Sequence, residues 1–148
     1  RRKKRITAVW TISSERGTDG VNAEIKFTDK AHLHIKICDS PFEDIYGHFG
    51  KCFDFIGNNL EKGNVFVHCQ MGISRSATIV IGFLMHTRGL SLSKVTTMSN
   101  QALEKVQTKR SIVRPNPGFL MQLTKLETEQ QKNKSEKRRP RPHSTRPK

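Results

Sequence analysis

The sequence predicts an α/β fold, a central and mainly parallel sheet flanked by helices. Three observations predict it. Segments of strand period alternate along the chain with segments of helix period. Val65-Phe66-Val67 is a short, wholly apolar run, which suits a buried central strand. The stretch 75–88 is apolar nearly all round (Ala77, Ile79, Val80, Ile81, Phe83, Leu84, Met85), as a helix packed on a sheet is.

Each element follows from its residues. Residues 6–12 read as a strand with Ile6, Ala8, Trp10 and Ile12 on one face. Residues 13–29 are rich in Ser, Gly, Asp and Asn and read as a loop, with a short strand at 23–27. Residues 32–37 alternate again and put Leu33, Ile35 and Ile37 on one face. Ser40-Pro41 reads as a helix start. From there Phe42, Ile45, Phe49, Cys52, Phe53, Ile56 and Leu60 recur at spacings of three and four, an amphipathic helix of about five turns. Lys62-Gly63-Asn64 ends it. Gly89 caps the apolar helix 75–88. Ser91 or Ser93 starts a helix to about Lys109, and Asn116-Pro117 starts a last one with Phe119, Leu120, Leu123 and Leu126 on its apolar face.

The chain has 148 residues, enough for one hydrophobic core. Its formal charge of +14 is concentrated at the ends. Residues 1–5 are all Arg or Lys, and residues 128–148 carry eight Lys or Arg against two Glu. The expected organisation is a basic segment at 1–5, one domain at 6–127 and a disordered basic tail at 128–148. The ends are candidate contacts for an acidic protein or a nucleic acid. Lys137-Arg138-Arg139-Pro140-Arg141 also reads as a nuclear-import signal. Three scattered cysteines make no disulfide framework, and no apolar run has transmembrane length. A reducing compartment, cytoplasmic or nuclear, is the expectation. The first residue is not Met, which reads as a processed chain or a piece of a longer one.

The chemistry is concentrated in His68-Cys69-Gln70-Met71-Gly72-Ile73-Ser74-Arg75-Ser76, between the apolar strand and the apolar helix. A loop that wraps into a helix N-terminus gathers backbone N–H groups into one small space and adds the helix dipole, which makes an anion site. Gly72 permits the turn such a cradle needs. A tetrahedral phosphate fits it, with Gln70, Met71, Gly72, Ile73, Ser74 and Arg75 as binding residues. Cys69 at the start of the loop would face the N–H groups and the Arg75 guanidinium. Cysteines in such settings titrate at roughly 3.5–7.5 against about 8.5 when free. A thiolate results that can attack phosphorus. Arg75 offers a planar fork to two phosphate oxygens.

This segment resembles the signature of the protein tyrosine phosphatase superfamily, and Gly72-Ile73-Ser74-Arg75-Ser76-Ala77 resembles the dual-specificity phosphatases in particular. The strand at 6–12, the segment 35–41, the helix to Leu60 and Arg114-Pro115-Asn116-Pro117-Gly118-Phe119 are similar to segments of that family in the same order. The resemblance covers about residues 5–127. It implies a protein tyrosine phosphatase-like fold and metal-free, cofactor-free hydrolysis of phosphotyrosine and phosphoserine or phosphothreonine in phosphoproteins. It also implies a general acid about thirty residues before the cysteine, and Asp39 fits. The acid protonates the departing oxygen and then serves as base toward water. Ser76 would bond the sulfur, His68 would hold the loop and favour the thiolate, and Asn116 would brace the loop from the side.

Alternatives stand beside these roles. Asp39 also fits a turn or helix cap, with Glu43 and Asp44 as rival acids nearby, and Ser76 fits an ordinary helix start. His32 and His34 share a strand face near Cys38, but a metal site needs another convergent ligand. Cys38 is also a candidate redox partner of Cys69. The rival functions are a non-catalytic phosphate-binding adaptor and an RNA or lipid phosphatase of the same superfamily. The loop contains no Lys, which argues against phosphoinositides. Two departures from the family pattern are visible. Only five residues precede the strand at 6–12 where relatives carry a strand or two and a helix. Either the chain is a fragment or isoform lacking those strands, or the sheet has an uncovered edge. The stretch 92–110 is also about seven residues longer than relatives lead one to expect, either as two added helical turns or as a bulged loop around Ser99-Asn100.

Overall fold

The computed structural model describes residues 5–14, 30–92 and 101–137. Strands β1 (Ile6–Ser13), β2 (Ala31–Lys36) and β3 (Asn64–His68) form one parallel sheet in the order β2-β1-β3. Helices α1 (Phe49–Leu60), α2 (Arg75–Arg88), α3 (Ala102–Lys109) and α4 (Pro117–Lys137) flank it. The α/β class and the parallel sheet are as the alternating periods predict. The strand expected at 23–27 lies outside the described residues, as do residues 1–4 and 138–148.

The central strand is β1. It is buried from Ala8 to Ser13, so Val9 and Thr11 are covered as well as the predicted Trp10 face. The apolar run 65–67 was expected at the centre and instead borders the sheet: β3 pairs on one side among the described residues, and Phe66 is 48% exposed. Apolar composition signals burial, but it does not carry the order of strands.

The helix start at Ser40-Pro41 is corrected. The chain there makes turns, then a 3-10 turn at Tyr46–His48, and α1 begins only at Phe49. Phe42 is 95% exposed and Leu60 lies on the rim, while Phe49, Cys52, Phe53 and Ile56 keep the predicted buried stripe. Competing hydrogen bonds explain the late start. Ser40 takes the N–H groups of Phe42 (through Oγ, 3.3 Å) and Glu43 (through its carbonyl, 3.2 Å), and Asp44 Oδ1 takes the Gly47 N–H at 3.0 Å. Gln122 of α4 then accepts the Tyr46 N–H and donates to the Glu43 carbonyl, both at 2.8 Å. Side chains supply the bonds that a helix would have closed internally.

Helix α2 has the predicted span, and Gly89 ends it at φ 63°. The helix expected from Ser91 or Ser93 is not continuous. Gln101 is extended (φ −102°, ψ 125°), and the Ala102 N–H bonds the Ser91 carbonyl at 2.8 Å, so the chain returns to its starting point before α3 begins. The bulged loop and the added helical turns considered around Ser99-Asn100 fall on residues 93–100, which lie outside the described residues. Asn116 caps α4, its Oδ1 accepting the Phe119 N–H at 2.9 Å.

The stretch 128–137, expected as part of a disordered tail, continues α4. Glu129 accepts a hydrogen bond from the Tyr46 hydroxyl, and Lys125 Nζ sits 4.1 Å from the centre of that ring. The bond to Glu129, with burial and the carboxylate charge adding to it, pushes the Tyr46 hydroxyl up to about 12. No helix among the described residues is long and apolar enough to cross a membrane.

Gly118 of α4 packs against the turn that follows β2. A Cβ there would overlap the backbone of Pro41. Gly118→Ala is therefore expected to lose about 1–3 kcal/mol by overpacking. Gly57→Ala, in α1 where a Cβ would meet nothing, should gain up to about 1 kcal/mol. Urea denaturation of the two variants checks both signs.

Candidate active site

Cys69 leaves the end of β3 and is 8% exposed. Its Sγ lies 3.2 Å from Ser76 Oγ and accepts the Gly72 N–H at 3.3 Å. Gly72 has φ 66°, a left-handed conformation that costs a glycine little and that turns its N–H back over the sulfur. Burial pushes the thiol up. The Ser76 hydroxyl and N–H, the Gly72 N–H and the Arg75 charge outweigh it, so the thiol titrates below its ordinary value.

Arg75 opens α2 and is 5% exposed. Its Nη1 donates to the Ile37 carbonyl, just past β2, at 3.2 Å. That bond ties the guanidinium to the segment just after β2. Ser74 ends the loop: its carbonyl accepts the N–H and hydroxyl of Thr78, both at 2.8 Å, and its Oγ accepts the Asn116 N–H at 3.0 Å. Gln70 and Met71 are exposed. Ile73 is half-buried beside them.

Asp39 is exposed, and its Oδ1 accepts a hydrogen bond from Asn116 Nδ2 at 2.8 Å. The Asn116 backbone N–H thus bonds Ser74 at the end of the loop, and its side chain bonds Asp39, a pairing that sequence spacing did not reveal. Of the rival acids, Asp44 is engaged in the turn at Gly47.

His68 sits beneath the loop. Its Nδ1 is 3.4 Å from the Cys69 carbonyl, and its Nε2 is 2.9 Å from Thr11 Oγ1. The same hydroxyl lies 2.9 Å from His32 Nε2, and Ser13 Oγ lies 2.7 Å from His34 Nε2. Burial, followed by the charges of His32, Lys36 and His68, pulls His34 down. Among the described residues no group of three His, Cys, Asp or Glu side chains converges as a metal site would. Cys38 is a free, half-buried thiol.

Two contributors were missed in the sequence. Arg110 donates from Nε to the Gly72 carbonyl at 3.1 Å and from Nη2 to the Met71 carbonyl at 3.0 Å. The Arg114 N–H donates to the Ile73 carbonyl at 2.8 Å. Their proximity to Arg114-Pro115-Asn116 was the available signal, but an exposed Arg in a basic chain does not announce its partner. Behind the loop a cavity of about 410 Å³ opens between β3, α2 and α3, with Phe66, Val80 and Val106 in its wall. Neither Asp39 nor Arg75 lines it. Cys69, Gly72, Ser76 and Arg110 also line it, so the cavity opens onto the loop itself.

A family model described as the catalytic domain of dual specificity phosphatases matches residues 1–129. Dual specificity protein phosphatase 1B of Arabidopsis thaliana is 39% identical over 106 residues, which is 71% of this chain and 59% of that protein. Dual specificity protein phosphatase 15 of Mus musculus is 43% identical over 96 residues, 64% of this chain and 38% of that one. The chain therefore spans less than two thirds of these relatives. The crystal structure of human DUSP28 superposes with a TM-score of 0.73 at 29% identity, over 86% of this chain and 81% of the other.

The Ser76 hydroxyl leads the contacts that lower the thiol. Ser76→Ala should move the pH midpoint of Cys69 alkylation upward, leaving less thiolate near neutrality. The rate of iodoacetamide labelling against pH, read at Cys69 by mass spectrometry, checks the direction.

Proposed function

The chain belongs to the dual specificity phosphatase family, a family of cysteine-dependent phosphatases, and from that premise we propose that it hydrolyses phosphotyrosine and phosphoserine or phosphothreonine through a cysteinyl-phosphate intermediate. The observation that carries this reading is the sulfur of Cys69, in reach of the Ser76 hydroxyl and the Gly72 N–H at the start of a loop that ends on buried Arg75.

In the first step the phosphoryl group sits in the cradle of backbone N–H groups with Arg75 on its oxygens. The Cys69 thiolate attacks phosphorus, the S–P bond forms, and the P–O bond to the leaving group breaks. Asp39, turned by Asn116, gives its proton to the departing oxygen. Arg75 and the N–H groups stabilise the charge on the transferring phosphoryl oxygens. In the second step Asp39, now a carboxylate, takes a proton from water as that water attacks phosphorus. The S–P bond breaks, phosphate leaves, and the Ser76 hydroxyl donates to the sulfur as its charge returns. Phosphoproteins are the proposed substrates. The shape of the loop, without a cation between Cys69 and Arg75, supports them over polyphosphorylated lipids.

Cys69→Ser should abolish turnover of an aryl phosphate and of phosphopeptides, and hydrolysis retained by that variant would sink the mechanism. Asp39→Asn should slow the reaction by about 10²–10⁴-fold, more for an alkyl than for a nitrophenyl leaving group. Asn116→Ala should fall between wild type and Asp39→Asn. Side-by-side turnover of phosphopeptides, a phosphoinositide and an RNA 5′-triphosphate tests the substrate class, and tight phosphopeptide binding without turnover would favour an adaptor instead.

A further inference from the structure

We propose that Arg110 is a positioning residue for Cys69, acting through a single peptide unit: it holds the Met71–Gly72 amide by its carbonyl so that the N–H at the other end is aimed at the sulfur. The proposal rests on the nucleophilic role of Cys69 described above. Arg110 does not touch the thiol.

The geometry is a relay across one plane. A trans peptide points its C=O and its N–H in opposite directions. In the unit between Met71 and Gly72 the oxygen is bound by Arg110 Nη2 at 3.0 Å, and the N–H is bound to Cys69 Sγ at 3.3 Å. A cation on the oxygen polarises the amide and strengthens its N–H as a donor. The next unit is held in the same way, with the Gly72 carbonyl on Arg110 Nε at 3.1 Å. Two successive carbonyls on one planar fork suit a guanidinium, whereas an ammonium would act as a point charge.

The root of the side chain is anchored, as a clamp requires. The Arg110 N–H bonds the Val106 carbonyl at 2.9 Å, and its carbonyl accepts the Val113 N–H at 3.2 Å. Gln107 Nε2 closes the turn on the Val113 carbonyl at 3.0 Å. The charged and titratable groups placed on the loop are His68 on β3, Arg75 on α2 and Arg110 after α3. Of these, Arg110 is the one bonded to the carbonyl of the unit whose N–H meets the sulfur. The guanidinium is exposed, so water screens its charge and the effect on the thiol is modest.

The test is made on the resting protein without substrate. Iodoacetamide labelling of Cys69 is followed against pH by peptide mass spectrometry, which keeps it apart from Cys38 and Cys52. Arg110→Met, neutral and of similar length, should raise the labelling midpoint by about 0.5–1 pH unit. Turnover of a nitrophenyl phosphate below that midpoint should fall by a factor of about three to ten, as the thiolate fraction does. Arg110→Lys, which keeps the charge and loses the fork, should lie between the two. An unchanged midpoint in an Arg110→Met protein that melts like wild type overturns the proposal, even if turnover falls, because the residue then acts on substrate. If Arg110→Met melts below the assay temperature, Arg110→Lys decides: a raised midpoint supports the relay and an unchanged one overturns it. Labelling requires no turnover, so this outcome is independent of whether Cys69→Ser abolishes hydrolysis.

Discussion

A loop that turns its N–H groups toward one sulfur must turn the carbonyls of the same peptides away from it, and those oxygens need donors on the outer side. A polar group left buried without a partner costs about 1–3 kcal/mol, comparable to a whole hydrogen bond. Here the donors come from one stretch of chain, the connection between α3 and α4. Arg110 takes the carbonyls of Met71 and Gly72, and the Arg114 N–H takes that of Ile73. The Asn116 N–H meets the Ser74 hydroxyl. The shape of the loop around Cys69 is written from outside.

The same connection governs the acid. Asn116 uses its four polar groups in four directions: the backbone N–H to Ser74, the carbonyl to the Leu120 N–H, Oδ1 to the Phe119 N–H at the start of α4, and Nδ2 to Asp39. A helix cap thereby links the loop around Cys69 to Asp39, the proposed acid. Further along α4, Gly118 receives Pro41, and Gln122 takes up both Glu43 and Tyr46. The turn after β2 is thus held by α4 instead of by a helix of its own, and Asp39 stays in a turn beside the loop.

The sheet contributes rigidity and a polar underside. Thr11, on the central strand, stands between His32 on β2 and His68 on β3. One hydroxyl has one proton and two lone pairs, so it donates to at most one of these rings and accepts from the other. The ring that lies next to Cys69 is therefore held from below by its neighbours in the sheet as well as by its own strand.

Much was legible in the chain itself. Period two marked β1 and β2, and spacings of three and four marked the buried stripes of α1 and α4. The strand, glycine-bearing loop and helix from Val65 to Arg88 located the anion cradle, because a wrapped loop and a helix N-terminus need only local sequence to be recognised. The sequence also placed Cys69, Arg75 and Ser76 within one loop and turn of each other. Tertiary structure decided the rest. It put β1 at the centre and β3 at the border, since apolar content does not encode strand order. It moved the start of α1 from Pro41 to Phe49 and extended α4 through Lys137, through side chains on α4 that pair with the 43–46 turn from more than seventy residues away. It brought Asp39 to Asn116 and Arg110 to Gly72. Each of those bonds joins polar residues far apart in sequence, where periodicity carries no information about which donor meets which acceptor.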